Sequence, residues 1–183
     1  YAQLFVARDT INVLENSNTL KMPWANGLNF TNVSNIDLNL DGKKDIVAFD
    51  KINGFGVGRF RCFINTGVMS GGQTTYTANP ALSYYFPNVA NWAVFNDYNC
   101  DGKEDLFCST SAGIMVYTNR TYANMGAPPT VSFSLAKSLL YSDQFGSPGN
   151  IYAAVNGLPG ISDIDGDGDL DILTVAPQGV TVE

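Results

Sequence analysis

One nine-residue acidic loop is written three times in this chain, and a chain built on a repeat has to fold as one. The copies run from Asp37 to Asp45, from Asp97 to Asp105 and from Asp163 to Asp171. Each places an acidic or amide oxygen at positions 1, 3, 5 and 9 and a glycine at position 6. The side chains concerned are Asp37, Asn39, Asp41 and Asp45, then Asp97, Asn99, Asp101 and Asp105, then Asp163, Asp165, Asp167 and Asp171. Alternate residues of a tight loop converge on its inside, and glycine permits the sharp reversal. Hard oxygen donors in that arrangement suit Ca²⁺, which takes six to eight oxygens at about 2.3–2.6 Å. Position 7, occupied by Lys43, Lys103 and Asp169, is expected to add a backbone carbonyl. Mg²⁺ fits less well, because it keeps its waters and wants a tighter octahedron.

The residues after each loop separate this pattern from an EF-hand, which needs a Glu at position 12. Here position 12 is Ala48, Cys108 and Thr174, each inside a strand-like run. Those runs, Ile46 to Phe49, Leu106 to Ser109 and Ile172 to Val175, are β-branched or aromatic and short. Second runs come after a turn: Phe60 to Asn65, Ile114 to Asn119 and Gly179 to Glu183. Candidate strands also precede each loop, at Phe30 to Ile36, Trp92 to Asn96 and Gly157 to Ser162. Such alternation with Gly and polar residues between runs reads as hairpins. No amphipathic helix stands out, and Val131 to Tyr141 has mixed character compatible with a strand.

Spacing supports one repeated unit. Asp105 and Asn119 are 14 residues apart, and Asp45 and Asn65 bear the same relation with an insertion around Asn53-Gly54-Phe55-Gly56. Ile11 to Asn16 resembles the closing run Ile114 to Asn119 but has no acidic loop before it. Residues 1–16 are therefore read as an orphan closing strand, and 30–65, 92–119 and 157–183 as repeat cores of a single β-region spanning 1–183.

Charge and composition narrow the function classes. The net charge is −7, and most of the 17 acids sit inside the three loops, so the acidity reads as metal-site charge. No basic patch offers a nucleic-acid surface, and no apolar run approaches the roughly 20 residues of a membrane span. The chain has no histidine, which removes histidine bases, histidine triads and histidine zinc ligands. Cys62, Cys100 and Cys108 form no C-x-x-C pair and read as small buried hydrophobes, with a single disulfide open as an alternative. The opening Tyr1-Ala2-Gln3, with no initiating Met, reads as the start of a mature or excised piece of a longer precursor.

The loops and the strands after them resemble the FG-GAP/VCBS repeats of integrin-α-like β-propellers, whose motif is Asp-x-Asp-x-Asp-Gly-x-x-Asp followed by a hydrophobic strand. Segments such as Pro23 to Asn29 and Ile164 to Leu173 are similar to the N-terminal region of secreted Bacteroidetes cell-surface proteins. The resemblance implies an all-β fold of about three four-stranded blades, a partial propeller, with about three Ca²⁺ ions in loops at strand turns. Propellers close with four to eight blades, so further blades are expected from the same precursor or from neighbouring protomers. The function expected is a non-enzymatic extracellular binding or adhesion module with a glycan or protein ligand. Trp24, Tyr84, Tyr85, Phe86 and Trp92 are candidates for stacking on sugars, weighed against a place in the core. The alternatives are a subunit of an extracellular filament built by strand addition or a part of a polysaccharide-acting enzyme.

Overall fold

The computed structural model describes residues 13–19, 28, 31–51, 58–68, 72–144, 146–154, 157–176 and 179–182. The expectations for Trp24, for Pro23 to Asn29 apart from Leu28, and for the insertion around Asn53 lie outside these residues. So does most of the orphan strand.

Each acidic loop is the connection of a hairpin, because a run that buries alternate residues comes after the loop and another precedes it. Ile36 pairs with Asp45, Asn96 with Asp105 and Ser162 with Asp171, so position 9 of every loop opens a strand in the same register. Around these hairpins stand three antiparallel sheets, none of them closed. The first runs in sequence order through Asn32–Ile36, Asp45–Asp50, Arg59–Val68 and Thr74–Ala78. The second takes Ala90–Asn96, Asp105–Ser109 and Ile114–Asn119, then Phe133–Lys137 at its outer edge. The third comprises Gly160–Ser162, Asp171–Ala176 and Gly179–Val182. Three two-stranded hairpins complete the described β-structure.

The strands expected around the loops are thus present, with shifted limits. The run expected from Phe30 is a strand from Asn32, and the one expected from Gly157 is a strand from Gly160. Val131 to Tyr141 does supply a strand, Phe133–Lys137. Thr74–Ala78 carries no strong apolar alternation to announce it; it is held by pairing with Arg59–Val68. Leu14–Glu15, within the expected closing strand, pairs with Asn18–Thr19 in an exposed hairpin of its own. Among the described residues the one helix is the 3₁₀ turn Pro80–Tyr85, and no helix is long and apolar enough to cross a membrane.

The sheets stack face to face, which explains why Asp105–Ser109 is buried along its whole length. Its alternate side chains serve two cores. Leu106 and Cys108 join Ile36, Val47, Phe49, Phe60 and Cys62 of the first sheet in one cluster. Phe107 joins Trp92, Ile114 and Val116 against Ile161 and Ile172 of the third sheet in the other. Five phenylalanines, Phe49, Phe60, Phe86, Phe95 and Phe133, form a continuous ring cluster in the first core; the Phe60 and Phe86 rings stack at 4.4 Å. Strands that lead into the loops approach one another across the stack. The Ala93 N–H donates to Asn32 Oδ1 at 3.4 Å, and Asn96 Nδ2 donates to the Ile161 carbonyl at 3.0 Å. A bulge at Asn91, in the left-handed region at φ 67°, interrupts the register between Ala90 and Ala93. Asn tolerates that conformation better than most residues. Asn91 Nδ2 donates to Ser109 Oγ at 2.9 Å and Ser109 Oγ to the Ala90 carbonyl at 2.9 Å, which ties the bulge to the neighbouring strand.

Phe86 and Trp92 are core, whereas Tyr84 is 88% and Tyr85 52% exposed. Cys62 and Cys108 are buried as expected, with burial pushing both thiols up to about 12. Cys100 corrects the uniform reading: it is exposed, because it occupies the tip of the second loop. All three thiols are free.

The first core leaves no room beside Gly58. A Cβ added there would overlap the ring of buried Phe49, at Cζ and Cε2. Overpacking of this kind costs about 2 kcal/mol. Gly58→Ala is therefore expected to lower the denaturant midpoint at constant m-value, as measured by urea unfolding.

Candidate metal loops

The three loops share one hydrogen-bond plan. Position 1 accepts from the glycine N–H at position 6: Gly42 N to Asp37 Oδ2 at 2.8 Å, Gly102 N to Asp97 Oδ2 at 2.7 Å and Gly168 N to Asp163 Oδ2 at 3.1 Å. Position 3 accepts from the position 5 N–H, through Asn39, Asn99 and Asp165 at 3.1–3.2 Å. Position 5 accepts from the position 7 N–H, as Asp41, Asp101 and Asp167 each do at 2.9 Å from Lys43, Lys103 and Asp169. Position 9 accepts from the position 2 N–H: Leu38 to Asp45 at 2.9 Å, Tyr98 to Asp105 at 3.0 Å and Ile164 to Asp171 at 2.8 Å. The side chains at 1, 3, 5 and 9 thus fold back over the loop in all three copies. An ionised carboxylate oxygen that accepts one N–H still has a lone pair for a cation.

Glycine at position 6 is needed for its conformation, with φ at 80°, 84° and 98° in the three copies. Position 4 is left-handed as well, at Leu40 (φ 55°), Cys100 (φ 57°) and Gly166 (φ 82°). That second requirement was hidden in the first two loops by Leu and Cys. The glycine at the same place in the third loop was its one sequence signal.

The third loop brings three carboxylates together. One carboxylate oxygen from each of Asp163, Asp165 and Asp171 lies within 4.8 Å of the others. Two oxygens on opposite sides of a Ca²⁺ ion are about 4.6–5.2 Å apart, so this donor set fits that cation. Asp167, expected as a side-chain ligand, is not in the trio, and Asp169 is expected to contribute only its backbone carbonyl. Asp167 Oδ1 is engaged by the Asp169 N–H, and Asp169 enters the plan through its backbone. Among the described residues no comparable trio of carboxylates forms in the first or second loop, where Asn39 and Asn99 put amide oxygens at position 3.

Local counter-charges differ between copies. Lys43 Nζ lies 3.3 Å from Asp41 Oδ2, both groups exposed. The hydrogen bond from the Lys43 N–H is the main reason that Asp41 titrates below its ordinary value. Lys103 Nζ instead donates to the Thr121 carbonyl at 3.0 Å.

The position 9 carboxylates in the first two loops tie each loop to its sheet. Asp45 and Asp105 are fully buried. Asp45 Oδ1 accepts the Asn65 N–H at 2.7 Å, and Asp105 Oδ1 the Asn119 N–H at 2.6 Å. The same asparagines donate Nδ2 to the Lys44 and Glu104 carbonyls, each at 3.1 Å. Their Oδ1 atoms accept from Gly67 at 2.9 Å and Thr121 at 3.0 Å. Asn65 and Asn119 are thus clamps that hold each loop to the third strand of its sheet. The sequence marked them only as matching strand ends. Burial raises the Asp45 and Asp105 carboxyls above their ordinary range, against the lowering effect of the N–H donors.

No family model, curated protein or solved structure matches this chain.

Proposed function

We propose that the chain is a calcium-binding, propeller-type module that works outside the cell as a non-enzymatic binding or adhesion unit. The observation that carries the calcium reading is the trio of Asp163, Asp165 and Asp171 oxygens within 4.8 Å, on a loop plan repeated at the other two sites. Asp37, Asn39, Asp41 and Asp45 would hold one ion, and Asp97, Asn99, Asp101 and Asp105 another, with the position 7 carbonyls of Lys43, Lys103 and Asp169 completing the sites. Calcium supplies charge neutralisation and rigidity here, and no chemical step. The propeller reading is supported by the stacking of sheets whose loop-bearing strands approach one another, as at Asn32–Ala93 and Asn96–Ile161. Secretion to a bacterial surface, a glycan or protein ligand, and completion by further blades or a neighbouring protomer belong to the same proposal. They rest on the family resemblance and on loops suited to millimolar calcium.

Calorimetric titration with calcium tests the sites. The wild type should bind about three ions, the third loop with the highest affinity because it has the most carboxylates. Asp165→Ala should weaken that site at least about ten-fold, as expected for loss of a charged ligand. Asp167→Ala should weaken it less, since its carboxylate lies outside the trio. Equal loss in both variants would remove the ligand assignment, and absence of binding heat in the wild type would remove the calcium reading.

A further inference from the structure

We infer that the first and second sheets form one cooperative unit, joined through the Lys44–Glu104 ion pair. The link is an unbroken polar path between two sheets. It starts at Asp45 Oδ1, which accepts the Asn65 N–H at 2.7 Å. Asn65 Nδ2 then donates to the Lys44 carbonyl at 3.1 Å. The Lys44 ammonium crosses to the Glu104 carboxylate of the second loop. From there the path mirrors itself, since the Glu104 carbonyl accepts Asn119 Nδ2 at 3.1 Å and the Asn119 N–H donates to Asp105 Oδ1 at 2.6 Å. Both ends are fully buried carboxylates at the first residue of a central strand. Lys44 and Glu104 occupy position 8 of their loops, so the same loop position meets its counterpart across the sheet boundary.

The packing joins the same two sheets. The first and second sheets share the five-ring phenylalanine cluster. Elements that share buried contacts open together as one cooperative unit.

Native-state hydrogen exchange on the full chain in the presence of a chelator tests it. Amides of residues 45–50, 59–67, 105–109 and 114–119 should share one level of protection. Lys44→Gln should lower protection in both the first and second sheets by one common factor, about three-fold for an exposed ion pair. The charge-swapped pair, Lys44→Glu with Glu104→Lys, should restore part of that loss. Unequal protection of the first and second sheets would overturn the inference. So would a Lys44→Gln effect confined to the first sheet, or no effect at all.

Discussion

Calcium at about a hundred times its dissociation constant is expected to raise the melting temperature of this chain by about 5–10 °C for each loop it fills. The magnitude comes from linkage: a ligand at that concentration stabilises the folded state by about 2.7 kcal/mol per site. For a domain of this size, one kcal/mol moves the midpoint by about 2–4 °C. The structural reason is electrostatic. The third loop holds Asp163, Asp165 and Asp171 oxygens within 4.8 Å of one another, so like charges are crowded until a divalent cation neutralises them. Scanning calorimetry with calcium and with excess EDTA measures the difference, and identical melting curves would end the calcium reading. The shift should also shrink on acidification, because the ligands must be ionised to hold a metal. Without calcium the sign differs by residue. Burial raises Asp45 and Asp105 above their ordinary 3.8, so their contribution is fully present below that pH and is lost as pH rises through the folded values. Asp41, lowered by its bond from the Lys43 N–H, contributes above pH 3.8 and loses that contribution as pH falls through its folded value.

Asp105→Ala is expected to cost about 4 kcal/mol even without calcium. Asp105 is fully buried and accepts two backbone N–H groups, Tyr98 at 3.0 Å and Asn119 at 2.6 Å. Removing an acceptor from a buried donor costs about 1–3 kcal/mol for each donor stranded. Asp105→Asn should cost less, because its amide keeps one acceptor oxygen. Asp101→Ala, at an exposed loop position, should cost little stability in EDTA. Chemical denaturation of the three variants in EDTA separates these effects. If Asp105→Ala and Asp101→Ala proved equally mild, position 9 would be a ligand position without the structural role assigned here.

That contrast shows what could be read from residue order. Positions 1, 3, 5, 6 and 9 were legible because a tight loop imposes local rules, namely which side chains turn inward and where φ must be positive. The hairpin register at each loop was legible for the same reason, since short-range pairing obeys the apolar alternation. Leu40 and Cys100 concealed the second left-handed position, because a surrounding framework can hold a residue where its own preference would not place it. Asn65 and Asn119 looked like strand ends; their clamping role depends on a partner 20 or 14 residues away.

By itself the sequence determined an all-β chain with an acidic hairpin loop repeated three times, because alternation and turn chemistry act over neighbouring residues. The residue order already set the third loop apart, since Asp165 stands where the other two have asparagine. Only the tertiary structure decided how each loop is tied. It drew a trio of carboxylates together in the third, pinned the first two by buried asparagine clamps, and joined those two through Lys44 and Glu104. The trio and the clamps depend on geometry within one loop or one sheet. The Lys44–Glu104 tie depends on how sheets stack, through contacts between residues about 60 positions apart, beyond the reach of any local pattern.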